Sequence, residues 1–154
     1  MLTSMFFYAG INANLTVKGD LHVDAHHTVE DSGIVIGKAL ADALGDKVGI
    51  RRFAHSFIPM DEALALCAID IGGRAFLHYE ADLKQEKIGD YDSCLTEEFF
   101  RALCQHAGIT LHLKQISGSN AHHVTEALFK SFGVALRSAA EITGSEINST
   151  KGIL

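Results

Sequence analysis

His26-His27-Thr28-Val29-Glu30 and, 96 residues further on, His122-His123-Val124-Thr125-Glu126 decide how this chain is read. Each box stands in the same frame. Ala9-Gly10-Ile11, an alternating stretch and Ala25 lead into the first copy; Ala107-Gly108-Ile109, a shorter alternating stretch and Ala121 lead into the second. A helical apolar pattern follows both. Two boxes in one register imply a duplicated unit whose halves bring side chains of the same chemistry.

Working outward from the boxes gives the elements. From His27, Val29, Gly33, Val35, Ile36, Ala39, Leu40, Ala43 and Leu44 keep helical spacing, and Gly45-Asp46 closes the helix. The matching helix runs from His123 to Ala140, with Leu128, Phe129, Phe132, Leu136 and Ala139 on one side. Residues 2–9 read as the tail of a helix stopped by Gly10. Residues 95–106 form an amphipathic helix with Phe99, Phe100, Leu103 and Cys104 inward.

Strands are expected at 50–58 and 63–71, joined by Pro59-Met60-Asp61-Glu62, at 75–81, and at 109–116. Residues 11–23 alternate Ile11, Ala13, Leu15, Val17, Leu21 and Val23, which reads as a strand or bent hairpin. The tail 144–154 is a polar loop. The fold class is therefore α/β (α+β), one domain over 1–154 built of a first half-repeat, 1–46, and a second, 47–154. Counted from the second copy, about 45 residues of strands and helix are expected to be missing ahead of Met1, so the first half reads as truncated.

Composition narrows the function. A net charge of −6 without a Lys/Arg run argues against a nucleic-acid surface. Met1 to Tyr8 is apolar but short and lacks a basic start, so it is a helix rather than a signal peptide or membrane span. Cys67, Cys94 and Cys104 show no CxxC spacing. They fit a reducing cytoplasm, three buried small hydrophobes and no thiolate zinc site.

Imidazole and carboxylate are ligands for first-row divalent metals. In each box the first His and the Glu are four apart and the second His and the Glu three apart, so both spacings fall on one helix face. Adjacent histidines point about 100° apart on a helix and so suit two neighbouring ions rather than one. His26, His27, Glu30, His122, His123 and Glu126 are the candidate ligands, with Glu30 and Glu126 also candidate catalytic groups. Without thiolates the set favours manganese, with zinc the main competitor and iron a further substitute. Glu98, nine residues before Ala107, is a further candidate ligand.

Arg51, Arg52, Arg74 and Lys151 are candidates for holding an anion, with Ser149 and Thr150 in the same tail loop. Asp20 and Asp24 flank the first box, either as turn residues or to orient its imidazoles; Asp61 and Glu62 read as turn or capping residues. His22, His55, His78, His106 and His112 lie outside the boxes and are assigned no metal.

Several stretches together resemble imidazoleglycerol-phosphate dehydratase. They are Gly19-Asp20-Leu21-His22-Val23-Asp24-Ala25-His26-His27-Thr28-Val29-Glu30-Asp31, Pro59-Met60-Asp61-Glu62-Ala63, Asp70-Ile71-Gly72-Gly73-Arg74, the second box with its flanks, and Ser149-Thr150-Lys151-Gly152. The resemblance covers the whole chain. It implies a ribosomal protein S5 domain 2-like fold and a cytoplasmic hydro-lyase of histidine biosynthesis, converting imidazole glycerol phosphate to imidazole acetol phosphate. It also implies two Mn²⁺ ions bridged by the substrate's imidazole, and phosphate contacts at Arg52, Arg74, Ser149, Thr150 and Lys151. Subunits would form trimers that build a 24-mer with sites at interfaces, binding neither nucleic acid nor membrane.

The chain departs from the family in two places: it starts at the Met of an Asp-His-Met-Leu motif whose His is a ligand, and it carries Glu98 where many members have His. The competing readings are a catalytically inactive metal-binding assembly module and a dinuclear metallohydrolase.

Overall fold

The computed structural model describes residues 1–154. Four helices and a four-stranded sheet make up the frame: α1 (Leu2–Ala9), α2 (His26–Leu44), β1 (Phe53–Met60), β2 (Ala63–Asp70), β3 (Phe76–Glu80), α3 (Leu95–Ala107), β6 (Thr110–Ser117) and α4 (Ala121–Ala139). Between β3 and α3 lies a small hairpin, β4 (Lys87–Ile88) with β5 (Tyr91–Asp92), too short to show a periodicity in the sequence. The mixed α/β class expected from the pattern is what the chain adopts.

The sheet runs β1-β2-β6-β3, antiparallel except for the β3–β6 pair. A parallel neighbour needs a crossover, and the hairpin and α3 supply it. On β2 the inward residues Ala63, Ala65, Cys67 and Ile69 are buried, and α4 covers them together with β1. Pro59 lies inside β1 rather than in the turn, which an edge strand tolerates because nothing needs its missing N–H.

The duplication is visible in the packing. Gly10 and Gly108 end α1 and α3 in the same left-handed conformation, φ 68° and 65°, where a Cβ would be strained. Gly37 of α2 and Gly133 of α4, 96 residues apart, each meet a backbone carbonyl of a crossing helix. An added Cβ would lie 2.6 Å from Leu103 O at the first and 2.4 Å from Met5 O at the second. Leu103 and Met5 are themselves repeat equivalents, and both are buried. Hence α3 packs on α2, and α1 on α4: each half's box helix is clasped by the other half's leading helix. One continuous core, from Met5 and Ala9 through Phe100 to Ala139, joins the halves.

Residues 11–23 correct the sequence reading. They form neither strand nor hairpin, and the only backbone hydrogen bond within them is Val23 N to Asp20 O, 2.8 Å, in a turn. Alternation makes a strand only where a neighbour completes the ladder, and neither sheet edge pairs with this stretch. His22 is thus in a turn, and Val17, Leu21 and Val23 are exposed. The apolar stripe of α2 is narrower than expected. Ser32, Gly33, Ile36 and Gly37 are buried, while Val35, Ala39 and Ala43 face outward. Cys94 is exposed as the residue preceding α3. Cys67 and Cys104 are buried as expected, and burial pushes the Cys104 thiol up to about 12.

Candidate active site

Each box opens its helix. Asn120 precedes α4, and its Oδ1 accepts from His122 N (2.9 Å) and His123 N (3.3 Å). Asp24, its repeat equivalent, accepts from His26 N at 2.8 Å. Side-chain oxygens thus satisfy amides that the helix leaves free, and both histidine pairs are fixed at the same point of the first turn. The rings stand 6.3 Å apart and nearly perpendicular in both pairs, 87° in the first and 85° in the second. The imidazoles diverge, as two-ion coordination requires.

The second histidine of each box is held by a carboxylate from elsewhere. His27 Nδ1 donates to Asp20 at 2.9 Å, and His123 Nδ1 to Glu62 at 2.8 Å. Fixing Nδ1 in this way leaves Nε2 as the second ring nitrogen, the arrangement that orients metal-binding histidines; that of His123 lies 3.7 Å from Asp61. Each bond shifts both partners. Hydrogen bonding to Asp20 raises the His27 pKa, and hydrogen bonding to Glu62 raises that of His123. Glu62 is drawn down to about 2, first by His123 and then by the backbone N–H of Asn120.

Its Oε1 accepts from Asn120 N at 2.9 Å, so one carboxylate ties the β1–β2 turn both to the start of α4 and to the imidazole. Glu62 is the turn and capping residue its position suggests, but its imidazole partner lies 61 positions away. No local spacing announces that contact. Asp20 fills both roles expected of it: its carbonyl closes a turn to Val23 N, and its carboxylate, seven residues from His27, orients that ring.

The two glutamates differ. Glu126 accepts from Lys130 (2.9 Å), from His122 (3.2 Å) and from Ser4 of α1 (3.3 Å). The Lys130 hydrogen bond is the main reason its pKa lies below the usual carboxylate value. Glu30 lies 3.9 Å from His26 and is more open to solvent. Glu98, on α3, pairs at 3.8 Å with Arg101. No three of the His, Asp and Glu side chains converge on one point within the protomer. The donor chemistry suits a divalent ion.

Arg52, Arg74, Ser149, Thr150 and Lys151, scattered over a hundred positions, line one cavity of about 360 Å³ with Gly72 and Gly73. Arg52 is anchored within it. Its Nε and Nη2 donate to Asp70 at 2.7 and 3.2 Å, and Nη1 donates to Asn148 O at 2.9 Å. A Cβ on Gly72 would come within 3.1 Å of Arg52 and 2.9 Å of Asp70, so a larger residue would push on the tips of this pair. Arg74 and Lys151 take part in no ion pair, which leaves their charge for a ligand. Arg51 turns away and pairs with Glu141. The cavity concentrates cations in a chain of net charge −6 and is built to take an anion.

The fold is a duplicated α/β unit with paired His-His-x-x-Glu helices and a separate cationic cavity. The comparisons resolve it further. The family model described as imidazoleglycerol-phosphate dehydratase matches residues 1–136. Proteins of that name from Carboxydothermus hydrogenoformans and an Exiguobacterium species are 52% and 51% identical. They align over 100% and 99% of this chain and 80% and 78% of their own lengths.

The crystal structure of the Staphylococcus aureus enzyme superposes with a TM-score of 0.85 at 43% identity, covering 94% of this chain and 80% of that one. The Pyrococcus furiosus structure gives 0.82 at 34% identity, over 99% and 83%. This chain belongs to the imidazoleglycerol-phosphate dehydratase family.

Proposed function

We propose that this protein dehydrates imidazole glycerol phosphate to imidazole acetol phosphate in histidine biosynthesis. The observation that carries the reading is the single cavity in which Arg52, Arg74, Ser149, Thr150 and Lys151 meet, in a chain with two mirrored imidazole–carboxylate boxes. The cavity holds the substrate's phosphate. Arg52 presents a guanidinium already oriented by Asp70, while Lys151 and Arg74 add charge at the mouth. Ser149 and Thr150 offer hydroxyls to the remaining phosphate oxygens.

His26, His27, Glu30, His122, His123 and Glu126 would hold divalent metal, manganese by their nitrogen–oxygen balance, and Glu98 is a further donor. Bound metal supplies Lewis-acid stabilisation of negative charge on the substrate's imidazole as hydroxide departs. Glu30 and Glu126 would move the protons, while Asp20 and Glu62 hold Nδ1 of His27 and His123. Each protomer exposes its boxes as half-shells, so the working site is shared between subunits of a homo-oligomer, trimers building a 24-mer. No helix is long and apolar enough to cross a membrane, and the reading places the enzyme in the cytoplasm.

The test is direct. Purified protein with Mn²⁺ and imidazole glycerol phosphate is expected to release the acetol phosphate, with activity lost on chelation and regained on adding Mn²⁺. Absence of product at every Mn²⁺ concentration from folded protein would refute the proposal and leave the inactive assembly module as the reading.

A further inference from the structure

The sheet face turned away from the helices carries a second arrangement of imidazoles, unrelated to the boxes. His78 on β3 and His112 on β6 are register partners on parallel neighbouring strands. Both project on the side opposite to buried Leu111 and Leu113, and both are exposed. Their ring centroids are 5.2 Å apart with the planes tilted by 32°. Phe76, one row away, lies against His112 at 6.0 Å and walls one side. On the other side Glu80 reaches to 3.6 Å from His78 Nε2, while also pairing with Lys114 at 2.7 Å.

This spacing allows chelation once each ring turns a nitrogen toward a shared ion. With a metal–nitrogen bond of about 2.0–2.1 Å and about 1.1 Å more to the ring centre, two imidazoles on one ion at a tetrahedral angle have centroids about 5.2 Å apart. The paired histidines of the boxes, at 6.3 Å and nearly perpendicular, diverge instead. Adjacent residues on a helix point apart, whereas register partners on neighbouring strands project side by side.

We propose that His78 and His112 form a two-imidazole surface chelate for a borderline divalent cation of the zinc, nickel and copper class. Nitrogen ligands bind these metals more tightly than manganese, which makes nickel and zinc the suitable probes. His55 lies in the same cross-strand row, but Ala68 of β2 separates it from His112. Two strand spacings, about 10 Å, keep it out of the chelate.

Titration calorimetry with Ni²⁺ tests this on wild type, H78Q, H112Q and H55Q, and again in an H122Q/H123Q background. Wild type and H55Q are expected to bind one more Ni²⁺ per chain than H78Q or H112Q, or to bind that ion at least tenfold more tightly, in both backgrounds. Equal stoichiometry and affinity across the four overturns the proposal. A second measurement needs no variant. In diethyl pyrocarbonate labelling read by mass spectrometry, Zn²⁺ should protect His78 and His112 and leave His55 reactive. Unchanged labelling of His78 and His112 overturns the proposal equally.

Discussion

Replacing Gly133 by Ala tests the clasp between α1 and α4. The added Cβ would sit 2.4 Å from Met5 O and 3.1 Å from Ala9 N, where ordinary contact begins at 3.4 Å. Both obstacles are backbone atoms, so no rotamer relieves them and α1 must retreat by about 1 Å along a packed interface. Overpacking of this kind costs about 2–3 kcal/mol. Alanine returns about 1 kcal/mol through its better helix propensity.

The net loss is about 1–2 kcal/mol, a fall in Tm of about 2–8 °C for a chain of this size. Gly37→Ala, at the equivalent crossing with 2.6 Å to Leu103 O, should fall by a similar amount. Gly144→Ala, with nothing within 4 Å of its Cβ, is the control and should stay within about 0.5 kcal/mol. Thermal melts followed by circular dichroism provide the assay. An unchanged or raised Tm for Gly133→Ala, with the control also unchanged, would show that α1 parts from α4 freely and refute the argument from close approach.

Further perturbations probe the site. Asp70→Asn removes one charge from the largely buried Arg52 pair; a loss of about 1–3 kcal/mol in urea denaturation and a raised KM are expected, and an unchanged midpoint would contradict the pairing. Lys151→Ala should raise KM by about 5–30-fold, the loss of one charge-assisted contact of about 1–2 kcal/mol; an unchanged KM in steady-state kinetics argues against the phosphate assignment.

In metal-free protein, Glu62 lies below its ordinary value of 4.5 and His123 above its ordinary 6.5. The Glu62 contribution is present above 4.5 and fades as pH falls towards 2. That of His123 is present below 6.5 and fades as pH rises through its elevated folded value. NMR titration should therefore show His123 titrating above 6.5, and lower in Glu62→Gln; identical titration in the two proteins would remove Glu62 as its partner.

Much of this architecture was legible in the sequence because it is periodic. Phe99, Phe100, Leu103 and Cys104 of α3, and Leu128, Phe129, Phe132 and Leu136 of α4, are buried as their spacing dictated. The boxes were equally readable, since residues three and four apart are local. Glu62 was not, because a contact across 61 residues depends on the turn between β1 and β2 meeting the start of α4. The stretch 11–23 misled for the opposite reason. Alternation reports which side of a segment is apolar, and nothing in it says whether a neighbouring strand is there to pair with.

The cross-clasped helices carry one more consequence. A unit whose leading helix rests on its twin's box helix, and whose box helix receives its twin's leading helix in return, has the geometry of a two-fold homodimer with exchanged arms. Here both partners are written in one polypeptide. The loop from Gly45 to Arg52 joins α2 to the second unit, turning what would be a concentration-dependent encounter into an intramolecular one. Cutting that loop should leave two pieces that hold each other in place.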